Sequence, residues 1–240
     1  SWIGLERVLA TANSLREYGQ GQLAVACLPA FAHALLPAAC RRFLAERPGA
    51  RVSIESQDSP LLEEWLSAQH HDLGLTESAA PPPGTRLAEL LVADEVCVLP
   101  EGHALLAKAV LTPADFAAQA FISLSPSDPY RIQLDAVFRE HAVSRALQLE
   151  TQSAVSVCCL VREGLGLAIV NPLTALAFVG QGLVLRRFSL SIPFRVSLVR
   201  PEHRASHPLA EAFAEALAAE ADGIRARLAG IMPVSDQEHA

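Results

Sequence analysis

Small and hydroxyl-bearing residues stand just before several predicted helices, where they could bind a carboxylate. Four segments share this character, and each follows a short apolar run: Pro29-Ala30-Phe31, Asp58-Ser59-Pro60, Ser125-Pro126-Ser127 and Thr151-Gln152-Ser153. A helix N-terminus offers unpaired backbone N–H groups and the positive end of the helix dipole, and both attract anions. The alternative is that these serines only cap their own helices. If the strands are parallel, the segments converge at one sheet edge and favour a ligand site there.

The sequence has no motif of a catalytic nucleophile or of a phosphate-binding loop. It lacks G-x-S-x-G, G-x-x-x-x-G-K-[ST] and G-x-G-x-x-G. His70-His71-Asp72 is the best metal candidate, but neighbours on a strand point to opposite faces and no second cluster completes a ligand shell, so we expect a solvated turn. Cys158 and Cys159 have no nearby base or cation that would activate a thiol. We therefore expect no catalytic residue, no metal and no cofactor.

The elements that position the polar segments alternate between strand and helix patterns. Apolar runs typical of strands cover residues 23–28, 52–55, 72–76, 87–92, 95–99, 121–124, 147–150, 165–170 and 195–199. Helical periodicity follows Pro29, Ser59-Pro60, Asp128-Pro129 and Ser153, and a last helix runs from Ser206 towards Gly230. This alternation predicts βαβ units and a mainly parallel sheet.

The order of these units predicts two lobes. One group of units ends near residue 93, and the chain completes a unit of the first group after residue 194. We therefore assign residues 21–92 and 195–235 to lobe I and residues 93–194 to lobe II, with a hinged cleft as the natural place for a ligand. Residues 1–20 are predicted to form an amphipathic helix closed by a glycine-rich break, which suits a linker or a dimer contact better than a core element.

The composition is that of a folded protein and excludes several classes. The chain has 240 residues, is 51% hydrophobic and carries a net charge of −7, so it lacks the positive field that DNA binding needs. No apolar run reaches the ~20 residues of a membrane span, and no signal-peptide pattern is present. Five cysteines without metal or haem spacing favour a reducing compartment. A first residue other than Met leads us to expect a fragment of a longer protein.

Four segments resemble the effector-binding part of the LysR-type transcriptional regulators of bacteria. They are L-A-V-A at 23–26, A-L-L-P at 34–37, F-L-A-E-R-P at 43–48 and V-R-E-G-L-G-L-A-I-V-N-P at 161–172. More narrowly, D-S-P-L-L-E-E-W-L-S-A-Q at 58–69 and N-P-L-T-A-L at 171–176 are similar to the lysine-biosynthesis and opine-responsive members of that family.

The resemblance implies an α/β protein with the type 2 periplasmic-binding-protein fold, in which two crossover strands join two Rossmann-like lobes. It implies a winged helix-turn-helix domain upstream, through which alone promoter DNA would be bound, and a linker helix of which residues 1–20 form the end. It also implies a cytoplasmic homodimer, a tetramer at full length, that activates the diaminopimelate decarboxylase gene in response to diaminopimelate and lysine. We expect exposed apolar stripes on helices 31–44 and 208–228 to form the contact between copies.

A diamino dicarboxylic acid needs acceptors for its ammonium groups as well as donors for its carboxylates. Asp58, Asp128 and Glu150 are the acidic candidates, and each has a surface or capping role as its alternative. These three acids and Asn171 are predicted ligand contacts. The other predicted contacts are the residues at the helix starts: Pro29, Ala30, Phe31, Ser59, Ser125, Ser127, Thr151 and Ser153.

Two other functions fit the same fold. A periplasmic solute-binding protein for an amino acid would show export features and would have no use for the helix over residues 1–18. A divergent enzyme would place a nucleophile, a base or a metal in the cleft, and the sequence offers none of these.

Overall fold

The computed structural model describes residues 21–203 and 208–231 as eleven strands, seven α-helices and two 3-10 turns. The linker helix predicted over residues 1–18 lies outside these residues, as does Ser206. The strands are β1 (Gln22–Cys27), β2 (Arg51–Ser56), β3 (Leu73–Thr76), β4 (Thr85–Asp94), β5 (Val96–Pro100), β6 (Val110–Leu111), β7 (Ala120–Leu124), β8 (Ala146–Thr151), β9 (Ala168–Val170), β10 (Leu183–Phe188) and β11 (Pro193–Pro201). The helices are α1 (Pro29–Ala34), α2 (Leu36–Glu46), α3 (Leu61–Ser67), α4 (Pro129–Glu140), α5 (Ala154–Arg162), α6 (Pro172–Ala177) and α7 (Pro208–Ile231).

The described residues form two compact units. The first holds the residues up to Leu90 and those of Val196–Ala221, and the second holds Leu91–Arg195 and the residues from Asp222 onward. The chain passes from one unit to the other within β4, β11 and α7. The lobe limits drawn from the sequence stay a prediction.

A five-stranded sheet with the order β2-β1-β3-β11-β4 organises the first unit. Its β1 pairs in parallel with β2 and β3, whereas β11 runs antiparallel to β3. The core of this unit includes Leu62, Leu66 and Val199, and an edge-to-face contact joins Phe43 of α2 to Phe213 of α7 at 5.2 Å between ring centroids. Burial of these apolar side chains holds the helices on the sheet.

The second unit combines a four-stranded sheet, ordered β6-β10-β5-β9, with the parallel pair β7-β8. Here β5 runs antiparallel to both of its neighbours, β10 and β9. The prediction of a mainly parallel sheet is therefore wrong for this unit. Four mutually packed phenylalanines, Phe116, Phe121, Phe138 and Phe188, form the centre of its core.

Several predicted elements differ in their limits. The helix predicted after β1 is two helices separated at Leu35, because Pro37 in the first turn of α2 has no N–H to continue the preceding helix. The strand predicted over residues 165–170 forms only at Ala168–Val170, with Leu165 exposed. Helix α6 and strand β10 were not predicted.

The expectation of exposed apolar stripes on helices 31–44 and 208–228 is wrong. Phe31, Phe43, Phe213 and Leu217 are at most 1% exposed, so the large side chains of these helices already pack inside the chain. Leu44 is the exception, at 38% exposure. Within the described residues, no helix combines the length and the apolar character that a bilayer crossing needs.

Candidate functional site

In the first unit, parallel pairing brings the carboxyl ends of β1, β2 and β3 to one edge. Cys27 lies opposite both Ser56 and Leu75 in the strand registers. The segments that follow these strands therefore share this edge: the start of α1, the Asp58-Ser59 turn and the residues after Thr76. This is the edge at which open α/β sheets bind ligands.

The start of α1 has less to offer a ligand than the sequence suggested. Pro29 has no N–H, and the N–H groups of Phe31 and Ala32 both donate to the carbonyl of Leu28. Only Ala30 of the predicted turn can present an amide. The Phe31 ring is fully buried, so its side chain serves the core rather than a ligand.

Asp58 and Ser59 are exposed at the entry to α3, but neither caps this helix. Pro60 occupies the cap position, and the hydroxyl of Ser59 donates instead to Oε1 of Glu63 at 2.8 Å. The capping role considered for Ser59 is therefore wrong. Thr76, fully buried at the end of β3, donates to the same Glu63 oxygen at 2.9 Å. The sequence reasoning missed Glu63 and Thr76, because the pair is separated by 13 residues and meets only through strand pairing.

In the second unit, parallel pairing of β7 with β8 gathers six of the predicted residues at one edge. Ser123 pairs with Glu150 and Leu124 with Thr151, so the two strands end together. Serines 125 and 127 follow β7, and their hydroxyl oxygens lie 3.3 Å apart. The other members of the set are Asp128, Glu150, Thr151 and Ser153.

Asp128 occupies the N-terminus of α4 that was expected to be open to an anion. Its Oδ1 accepts from the N–H groups of Tyr130 and Arg131, at 2.9 and 3.1 Å. Asp128 is therefore the cap of α4, and Ser127 is not. A ligand carboxylate would have to compete with a carboxylate that is part of the chain.

Arg131 lies beneath this edge and was not predicted from the sequence. Its side chain is 6% exposed, and Nη1 donates both to the carbonyl of Leu124 and to Oε1 of Glu150, each at 2.9 Å. Nε donates to Asp135 at 2.8 Å. Burial favours a lower pKa for Arg131, but the hydrogen bonds from its guanidinium to Glu150 and Asp135 raise that pKa above its ordinary value. Glu150 thus has a cationic partner within the chain.

Ser153 caps α5, as predicted, with its oxygen accepting from Ser156 N–H at 3.3 Å. Thr151 accepts from the N–H of Ser153 at 3.3 Å, so its side chain braces the same turn. Asn171 is buried and accepts from Thr174 N–H at 2.8 Å, which makes it the cap of α6. The three residues have a local structural role, and their contact with a ligand stays a prediction.

The solvated turn predicted at residues 70–72 is wrong for two of its residues. His71 is 7% exposed, stacks on Trp65 at 5.9 Å and lies 3.4 Å from Glu55. Asp72 accepts from the N–H of Ala24 at 2.8 Å. Across residues 21–203 and 208–231, no three His, Cys, Asp or Glu side chains are grouped as metal ligands.

Three buried thiols are poor nucleophiles. Desolvation by burial raises the pKa of Cys158 to about 12 and that of Cys27 to about 11, and it also raises the pKa of Cys97. At neutral pH these side chains are protonated and act as small apolar groups.

Comparison with known proteins points to one family. The model of the LysR substrate binding domain matches residues 16–222. The transcriptional activator protein LysR of Escherichia coli is 56% identical over 213 residues, which are 89% of this chain and 68% of the relative. The regulatory protein NocR of Agrobacterium tumefaciens is 30% identical over 89% of this chain and 71% of its own. The regulatory domain of Synechocystis CcmR, solved with 2-PG, aligns with a TM-score of 0.68 at 18% identity, over 83% of this chain and 97% of that one.

Proposed function

Because the chain belongs to the LysR family of transcriptional regulators, whose substrate-binding domain spans most of it, we propose that it senses diaminopimelate, lysine or a related diamino acid. In response it would activate the diaminopimelate decarboxylase gene. The observation that carries this proposal is the 56% identity to the activator LysR. The resemblance of residues 58–69 to the lysine-biosynthesis members of the family supports the same ligand class.

The family sets the class of function. Regulatory domains of LysR-type proteins have the type 2 periplasmic-binding-protein fold, bind small-molecule effectors and oligomerise, and they are not enzymes. The solute-receptor alternative is therefore not favoured. We propose that effector binding stabilises one conformation of this domain, and that the changed conformation alters how a DNA-binding domain upstream contacts its promoter in the cytoplasm.

Diaminopimelate should raise the melting temperature of the protein. A ligand at 100 times its Kd stabilises the folded state by about 2.7 kcal/mol, which corresponds to about 5 to 10 °C for a chain of this size. Differential scanning fluorimetry with diaminopimelate and lysine tests this expectation, with pimelate as a ligand that lacks both ammonium groups. The ligand class is wrong if neither amino acid shifts the transition.

The same assay tests whether Ser153 contacts the ligand. Its side chain is exposed at the edge formed by β7 and β8. A tryptophan at this position should remove the ligand-induced shift, because the indole would occupy the edge, while Ser153→Asn keeps a capping oxygen and should melt like the parent. An unchanged ligand response in Ser153→Trp would exclude this residue from the site.

We further propose that the protein forms a homodimer, as the oligomerisation of its family supports. Since most large apolar side chains of α1, α2 and α7 are buried within the chain, the contact would have to use the few exposed ones, such as Leu44 of α2 and Ile54 of β2, at 38% and 40% exposure. Light scattering should give twice the mass of 25.6 kDa at high micromolar concentration. A monomer at that concentration would contradict the proposal.

A further inference from the structure

Glu63 holds a carboxylate oxygen that the described residues leave without a donor. Its Oε1 accepts two hydrogen bonds, from Ser59 at 2.8 Å and from Thr76 at 2.9 Å. Its Oε2 is shielded from solvent and accepts none within the described part of the chain. A shielded carboxylate oxygen with no donor is unfavourable, and native proteins rarely keep one without a purpose.

The hydrogen-bond directions leave Oε2 free for an external donor. Thr76 accepts from the N–H of Ser78 at 3.2 Å, so its single hydroxyl proton is directed at Glu63. The hydroxyl proton of Ser59 is directed at the same oxygen. Both hydroxyl donors are thus committed to Oε1, and they fix the carboxylate in one orientation.

Glu63 lies in the first turn of α3 but cannot form the hydrogen bond that a glutamate usually makes there. A glutamate in the first turn of a helix commonly bonds back to the N–H of the cap residue. The cap residue of α3 is Pro60, which has no N–H. No lysine or arginine among the described residues pairs with Glu63 either, so its charge has no cationic partner in that part of the chain.

We propose that Glu63 receives an ammonium group of the effector on Oε2, at the carboxyl edge of the sheet in the first unit. An ammonium group supplies both the positive charge and the N–H donor that this oxygen lacks. The inference rests on the proposed function, which gives the effector its amino groups. It assigns recognition of the ammonium to Glu63, a partly exposed residue whose Oε2 is shielded, rather than to the exposed Asp58 or to Glu150, which Arg131 already neutralises.

The test is calorimetric titration of the 240-residue chain with meso-diaminopimelate. Glu63→Gln keeps the shape and an acceptor for Ser59 and Thr76 but removes the charge, and it should weaken binding at least tenfold. Glu64→Gln changes the neighbouring, exposed residue in the same way and should bind within twofold of the parent. The parent itself should bind pimelate at least tenfold more weakly than diaminopimelate.

The outcomes separate this inference from the proposed function. If the parent binds diaminopimelate and Glu63→Gln binds it within twofold, Glu63 is not the ammonium acceptor although the effector class stands. If the parent binds neither diaminopimelate nor lysine, both the proposed effector class and the proposed role of Glu63 are wrong. Should Glu63→Gln not fold, equal binding of pimelate and diaminopimelate by the parent would overturn the inference.

Discussion

Replacing Asp135 with asparagine should lower the free energy of unfolding by about 3 kcal/mol at pH 7, the cost of leaving a buried charge without its partner. Asp135 lies between two arginines whose side chains are each 6% exposed. Arg145 depends on Asp135 more than Arg131 does, because Arg131 also pairs with Glu150. Its guanidinium lies over the rings of Phe138 and Phe121, at 4.1 and 4.7 Å, and its ion pair is with Asp135. Loss of the carboxylate therefore leaves a cation inside an aromatic core.

The loss of unfolding free energy caused by Asp135→Asn should depend on pH. Burial alone would raise the pKa of Asp135, but the hydrogen bonds and charges of Arg145 and Arg131 lower it below its ordinary value. A carboxyl group with a lowered folded pKa stabilises the protein above its unfolded pKa, about 3.9 for aspartate, and loses this contribution as the pH falls through the folded pKa. The difference between parent and Asp135→Asn should therefore be full at pH 7 and shrink below about pH 4.

Urea denaturation followed by circular dichroism at pH 7 and pH 3 measures both effects. Asp222→Asn is the matched control, because Asp222 pairs with Arg225 at the surface, with 74% and 53% of the side chains exposed. That variant should cost about 0.5 kcal/mol or less. Equal losses for the two variants would show that the buried site is no more important than a surface pair.

Gly166→Ala should destabilise the protein by about 2 kcal/mol, in the middle of the range for an overpacked core. A Cβ on Gly166 would lie 2.8 Å from the carbonyl oxygen of Ala120 and 3.0 Å from its carbon. These atoms belong to the backbone of β7, which is held in place by hydrogen bonds from Leu167 N–H to Ala120 and from Ile122 N–H to Leu167, at 2.8 and 2.9 Å. The strand cannot retreat without breaking them.

Gly223→Ala provides a control of opposite sign. Gly223 is within α7, and a Cβ added there would meet no atom of the described residues outside its own helix turn within 4 Å. Alanine should therefore stabilise the helix by about 0.5 to 1 kcal/mol. Thermal and urea denaturation of both variants give the comparison. If Gly166→Ala were as stable as the parent, the close approach of the two backbones would not constrain this segment.

The sequence predicts those features whose cause lies within a few residues. The cap at Ser153 was readable because it depends on one residue type at one helix end. Strand β10 was missed, and its antiparallel pairing with β5 depends on a return of the chain across more than 80 residues, which periodicity does not report. The short helix α6 was hidden because Asn171-Pro172 reads equally as a strand end.

For the candidate site, the sequence predicted which segments lie together but not which charged side chains pair. Strand ends and helix starts indicated which segments share an edge, so the grouping of Ser125, Asp128, Glu150 and Ser153 followed from parallel pairing. The charge partners did not, since Arg131 reaches Glu150 across 19 residues and Thr76 reaches Glu63 across 13. Neither spacing has a local signature.

Arg131, Arg145, Asp135 and Glu150 form a cluster of charged side chains next to β7 and β8. The net charge of this cluster determines how the affinity of a ligand bound at this edge would depend on salt. Arg131 and Arg145 contribute two positive charges, and Asp135 and Glu150 contribute two negative ones, so the cluster is electrically neutral. Added electrolyte screens long-range attraction between net charges but has little effect on short, partly buried hydrogen bonds. A zwitterion bound at this edge would be recognised through the directions of its hydrogen-bond donors and acceptors. Its affinity should therefore be nearly the same at low and at high ionic strength.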